Sequence, residues 1–230
     1  SPVNTLVSNF NSELYISTGG LIGKSHQVEL NNVHATGTVT SNAYSQSDNF
    51  SDIKNYKTNL FTHTGGLIGQ STESHVTHGY ALGKVEASLN ATVNAFANIQ
   101  MSSGGLVGSL SNTEIKQSYA GGNVQHDHQV VGGATTRSSI GGLAGVNQNS
   151  SINIAYASGS VSGNDNVGGL IGNNENGHIS NAYASGAVTG TSQVGGLVGN
   201  HTGTGSIAQT YAIGKVTGTG TDVGGLVGNA

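Results

Sequence analysis

The chain has 230 residues, of which 38 are glycine, one is proline and none is cysteine, and 11 acidic against 7 basic side chains give a formal charge of −4. The lack of cysteine excludes disulfides and thiolate metal sites, and the lack of any basic run argues against a nucleic-acid partner. No apolar stretch approaches the roughly 18 residues a membrane-crossing helix needs, so membrane insertion is not expected. With 34% apolar and 8% charged residues, neither a large oily core nor a highly charged disordered chain fits.

The chain opens Ser1-Pro2 and stops at Gly228-Asn229-Ala230, just after a repeat word has begun; both ends read as an excerpt of a longer chain. Between them the word Gly-Gly-Leu-x-Gly occurs seven times. Its glycine pairs are Gly19-Gly20, Gly65-Gly66, Gly104-Gly105, Gly141-Gly142, Gly168-Gly169, Gly195-Gly196 and Gly224-Gly225. Eleven or twelve residues after the first six starts stands a branched aliphatic: Leu30, Val76, Ile115, Ile152, Ile179 and Ile207. Four residues on comes a ring: His34, then Tyr80, Tyr119, Tyr156, Tyr183 and Tyr211. An alanine follows, then a glycine two further on and a valine two beyond that. A recurring period of this kind specifies a solenoid.

Word spacings are 46, 39, 37, 27, 27 and 29 residues, yet the stretch from word to valine holds at 20 or 21. All the variation therefore falls between the valine and the next Gly-Gly, as insertions at 41–64, 87–103 and 125–140. Such insertions map to loops along one edge of a stack. The short apolar runs are β-branched and bounded by Gly and Asn, and none shows helical spacing. The expectation is an all-β parallel β-helix (a β-solenoid) of about 27 residues per coil, in three short strands, with six to seven coils stacked at about 4.8 Å. Residues 1–140 would carry the long insertions, and 141–230 the regular short coils of the same body. The Leu, Ile and Val columns would fill the interior. The paired glycines mark a corner of positive φ or of backbone approach too close for a Cβ. Whether the tyrosine column faces in or out stays open, because Tyr shares a parity with the Ile four residues before it and Ala does not.

The words Gly-Gly-Leu-Val-Gly-Asn (195–200 and 224–229) and Tyr-Ala-Ser-Gly-Ala-Val-Thr-Gly (183–190) resemble the GLUG repeat. The resemblance covers 141–230 throughout and 19–140 in the words alone. It implies a large secreted or surface-displayed bacterial protein, such as a filamentous-haemagglutinin-like adhesin or the accessory region of an IgA-specific metallopeptidase.

Chemical sites are few. In His126-Asp127-His128 the two imidazoles lie on alternate residues, so on a strand both would face one cation, although a solvated polar loop is the plainer reading. No His-Glu-x-x-His occurs, and no Gly-x-Ser-x-Gly elbow. Asp48 and Asp52 are the only close aspartate pair, where a polysaccharide-cleaving β-helix needs two carboxyl groups on one face. No cofactor is implied. The insertions carry Tyr44, Phe50, Tyr56, Phe61, Phe96 and Met101, side chains suited to stacking on sugars or anchoring a protein, and equally to packing the insertions onto the solenoid.

Three functions follow as expectations. The first is a non-enzymatic segment of a secreted or surface-displayed adhesin, binding a host glycan, a host protein or another adhesin through its decorated edge. The second is a passive spacer in a larger exported enzyme. The third is a polysaccharide-active enzyme using Asp48 or Asp52. Open strand edges at either end would also permit end-to-end self-association.

Overall fold

The computed structural model describes residues 10–46, 56–93 and 97–230, and among them every regular element is a β-strand. The chain winds through four parallel sheets in a fixed order. Sheet I holds the strands that run into each Gly-Gly, such as Tyr56–Gly65, Thr135–Gly141 and Ser192–Gly195. Sheet II follows the word's leucine, as in Ile68–Thr72 and Ile171–Glu175. Sheet III carries the aliphatic and the ring, as in Glu114–Ala120 and His178–Ala184. Sheet IV begins at the valine, as in Val85–Thr92 and Val188–Gly190.

The repeat words register as rungs. Gly65, Gly104, Gly141, Gly168, Gly195 and Gly224 pair in sequence. So do Ile115, Ile152, Ile179 and Ile207, and Val85, Val124, Val161, Val188 and Val216. Hydrogen bonding continues through the corner: the amides of Leu67, Leu106, Leu143, Leu170 and Leu197 each donate to the leucine carbonyl of the next coil at 2.8 Å. Corner backbone is thereby paired by the coil above, which lets a turn lie inside the stack. Leu67, Leu106, Leu143, Leu170 and Leu197 fill one continuous core with Ile115, Ile152 and Ile179.

The glycine pair and the alanine column have one cause. A Cβ on Gly169 would lie 2.1 Å from the Gly196 carbonyl oxygen and 2.8 Å from the Ala184 Cβ. Gly142 meets Gly169 and Ala157 in the same way. The corner between sheets I and II therefore presses against sheet III across a lumen too thin for two side chains, and close approach accounts for the word.

Two sequence expectations are corrected. Each coil has four strands in place of three, because the residues leading into Gly-Gly form a strand of their own. The insertions do gather on one edge, but their described parts continue the ladders. Sheet IV lengthens to eight residues in Val39–Gln46, Val85–Thr92 and Val124–Val131, and returns as Tyr56–Gly65, Asn98–Gly104 and Thr135–Gly141 of sheet I. Strict alternation in Val85–Thr92 turns one face inward. The resulting wing encloses its own core of Leu60, Leu89, Ala91, Val93, Ile99 and Met101.

The ring column faces outward. Two residues before each ring the backbone is left-handed, with φ from 49° to 54° at Asn32, His78, Gln117, Ile154, Asn181 and Gln209. That kink shifts the alternation by one residue. Ile115, Ser118 and Ala120 are buried while Tyr119 lies at the surface. His34, Tyr80, Tyr119, Tyr156, Tyr183 and Tyr211 then stack with centroids 4.8 to 5.1 Å apart. Burial raises the Tyr156 phenol above its ordinary pKa, and the charge of the neighbouring Tyr119 and Tyr183 phenols adds to it.

Candidate functional site

Where sheets I and II meet at the glycine corner, their outward faces enclose a groove of about 600 Å³ that runs along the stack. Alternation along each strand sends every second side chain into it, and registration lines these up as columns. From sheet I the column is Tyr15, Phe61, Gln100 and Arg137, paired rung to rung. From sheet II it is Gln70, Ser109, Val146, Asn173 and Asn200.

The amides are held in place by one another. Asn200 Nδ2 donates to Asn173 Oδ1 at 2.8 Å, and Asn229 Nδ2 to Asn200 Oδ1 at 2.8 Å. Each residue in such a ladder keeps donor and acceptor capacity on its outer side. Behind it, inside the coil, Asn174 Nδ2 donates to the Gly177 carbonyl at 2.8 Å and its Oδ1 accepts from Asn147 at 2.6 Å, fixing the sheet II corner from within.

His63 stands in the angle between the sheets, with Nδ1 2.6 Å from Ser102 Oγ. Burial, aided by the nearby Lys24 charge, lowers its pKa to about 4. It is therefore neutral at pH 7 and offers the groove no cation. The remaining charges are the chain's single arginine, Arg137, and the carboxylates of Asp165 and Glu175, on different sheets. Among the described residues no group of three His, Cys, Asp or Glu comes together as a metal centre.

The aromatic and thioether side chains of the insertions do not form one patch. Tyr44 is 72% exposed on the outer side of sheet IV. Phe61 lies in the groove, its ring stacked on Tyr15 at 4.6 Å with the planes 8° apart. Met101 is 2% exposed and packs inside the wing, at the edge of the groove. Tyr56 opens a sheet I strand, and Phe50 and Phe96, with Asp48 and Asp52, lie outside the described residues. Strand alternation separates the three side chains that can be placed, turning Tyr44 and Phe61 to outer faces and Met101 to the interior.

The histidine pair is also corrected. His126 and His128 lie on strand Val124–Val131 and not in a solvated loop. His126 is 4% exposed, with Nδ1 2.8 Å from Ser103 Oγ and Nε2 3.4 Å from Met101 Sδ. Its ring meets that of His128 edge-on at 5.9 Å. Burial, with a smaller contribution from His128, holds the His126 pKa down at about 4. Burial also lowers that of His128, against the opposing charges of Asp165 and Asp127.

Sequence reading missed Tyr15 and the groove itself. The sheet II column had a signal, since Asn173, Asn200 and Asn229 each follow a word directly. The sheet I column had none, because its residue type changes at every rung.

Residues 163–189 and 190–217 match the sequence model of the GLUG motif. No curated protein and no solved structure matches the chain. The two matched segments coincide with the bare coils, and their words register directly with those of the coils before and after them. This chain carries the GLUG repeat, in two consecutive matched copies continuous with the rest of the β-solenoid.

Proposed function

We propose that the chain is a non-enzymatic, rigid segment of a secreted or surface-displayed bacterial adhesin that binds a neutral glycan lengthwise along the groove. The observation that carries the reading is the pair of columns lining it, rich in amides and hydroxyls and spaced by the rung repeat. Amides offer donors and acceptors without net charge, which suits sugar hydroxyls. A ligand with its own repeat gains from many shallow contacts in line, so affinity grows with the number of rungs engaged. The single arginine gives little hold on an acidic sugar. Asp165 and Glu175 are the acids of this groove and stand on separate sheets, without the third group of a metal centre.

Glycan-array binding of the chain, compared with Gln70→Ala, Asn173→Ala and Asn200→Ala, tests this. Binding to neutral oligosaccharides should weaken stepwise with each groove substitution and stay unchanged in Tyr44→Ala, on the far side of the wing. Equal binding by groove variants and wild type would sink the groove as the site, and no binding to any glycan would leave the spacer role. Release of reducing ends from a polysaccharide, abolished by Asp165→Asn, would replace the adhesin by an enzyme.

A further inference from the structure

The wing holds a cluster that the groove does not use. Sheet IV contributes His126 and His128 on alternate residues of one strand, and sheet I contributes Met101 from the facing strand Asn98–Gly104. We propose that Met101, His126 and His128 form a site for one soft monovalent cation, copper(I) or its analogue silver(I).

Two distances fit one shared ion, and a third orients a ring that would bind it. His126 Nε2 and Met101 Sδ are 3.4 Å apart. A nitrogen at about 2.0 Å and a sulfur at about 2.3 Å from one cation are separated by about that much at a near-tetrahedral angle. The two imidazole centroids lie 5.9 Å apart. Two rings bound through nitrogen at about 2.0 Å have centroids roughly 5 to 6 Å apart. On the far side of His126, Nδ1 is 2.8 Å from Ser103 Oγ, the outer contact that fixes a ligand's tautomer by taking its ring N–H and leaving Nε2 unprotonated.

An ordinary N–H···S bond would account for His126 and Met101, but not for His128. Its Nδ1 is buried and has no hydrogen-bond partner, which native interiors seldom leave uncompensated. His128 as a whole is only partly buried, which leaves an ion a way in. Two imidazoles and a thioether select copper(I) over harder ions, and among the described residues no third His, Cys, Asp or Glu joins them, which disfavours zinc and calcium.

The test is anaerobic copper(I) binding by the whole chain, in ascorbate and in competition with bicinchoninate, repeated with silver(I) by calorimetry. One equivalent per chain is expected, and silver(I) should shift the imidazole C–H resonances of both histidines. Met101→Leu keeps the core volume and should weaken binding about tenfold or more. His128→Asn should do the same, with circular dichroism and thermal melts confirming that both variants remain folded. Excess zinc(II) should not displace the ion. Failure to bind one equivalent, undiminished binding by both variants, or zinc(II) binding as tightly as copper(I) would each overturn the site.

Discussion

The first three coils and the last three are built from one word, yet the first open into a wing and the last close at once. Between valine and the next Gly-Gly the early coils use strands of seven to ten residues, and the later ones strands of two to four. In the closed coils Val161 and Val188 pack directly on Val167 and Val194. In the open ones the same sheets diverge around the second core of Leu60, Leu89, Ile99 and Met101. The repeat thus tolerates an insertion whose flanks pair with the neighbouring rung and bury a face. What both halves share is the glycine corner, and what divides them is the packing beyond the valine.

The shared corner should be the more fragile of the two. In Gly169→Ala the new methyl meets a backbone carbonyl of the next coil, which cannot turn aside. A loss of about 3 kcal/mol or more is expected in urea unfolding. Gly37→Ala, where nothing lies within 4 Å of the added carbon, should be neutral or slightly stabilising. Equal behaviour of the two variants would refute the thin-lumen account of the word.

The wing core comes next. Ile99 is fully buried between the extended sheets, and Ile99→Ala should cost about 2–5 kcal/mol. Because stability in a solenoid is carried by each coil and its neighbours, the loss should be local. Hydrogen exchange should accelerate in Val85–Thr92, Asn98–Gly104 and Val124–Val131 and stay slow in His178–Ala184. Uniform acceleration across all six coils would show one cooperative body with no separable wing.

Acid should sharpen the same contrast. His63 belongs to an open coil, and its pKa is lowered from 6.5 to about 4 in the folded chain by burial and Lys24. The unfolded chain takes up that proton first, so stability is full above about pH 6.5, falls as pH drops towards 4, and levels off below. The loss from this residue should reach roughly 3 kcal/mol. Comparing wild type with His63→Gln by chemical unfolding at pH 7 and pH 4 isolates it. A difference between the two proteins that stays constant with pH would mean His63 is not desolvated.

Much of this was legible in the chain. The Leu, Ile, Val and Gly columns sit at constant spacing, and constant spacing becomes vertical alignment once coils stack. The ring column was not, because counting parity assumes an extended backbone at every residue. The left-handed residues at Asn32, Gln117, Asn181 and Gln209 break that count, and their amide type was the available hint. The insertions were read as loops on polarity, although Val85-Glu86-Ala87-Ser88-Leu89-Asn90-Ala91-Thr92 alternates as a strand should. Groove residues lie on outward positions that only stacking brings together, and Tyr15, Phe61, Gln100 and Arg137 share no type that a repeat search would find.

The smallest predicted effect concerns the choice between opening and closing. Two residues after the valine the open coils place Ser41, Ala87 and His126, all buried, and the closed ones Gly163, Gly190 and Gly218. A Cβ on Gly190 would lie 2.8 Å from methyl groups of both Val167 and Val194. Those are side-chain ends that can shift, so Gly190→Ala should cost only about 1–2 kcal/mol, well short of Gly169→Ala. Ala87 lies within the wing, where the sheets are already apart, and Ala87→Gly should cost about 1 kcal/mol, through the flexibility that glycine adds to a strand. Chemical unfolding of the two single variants measures both. If glycine at this position is what lets sheets I and IV meet, adding a methyl must destabilise the closed coil, and stabilisation by Gly190→Ala would leave the insertion length alone to decide whether a coil opens.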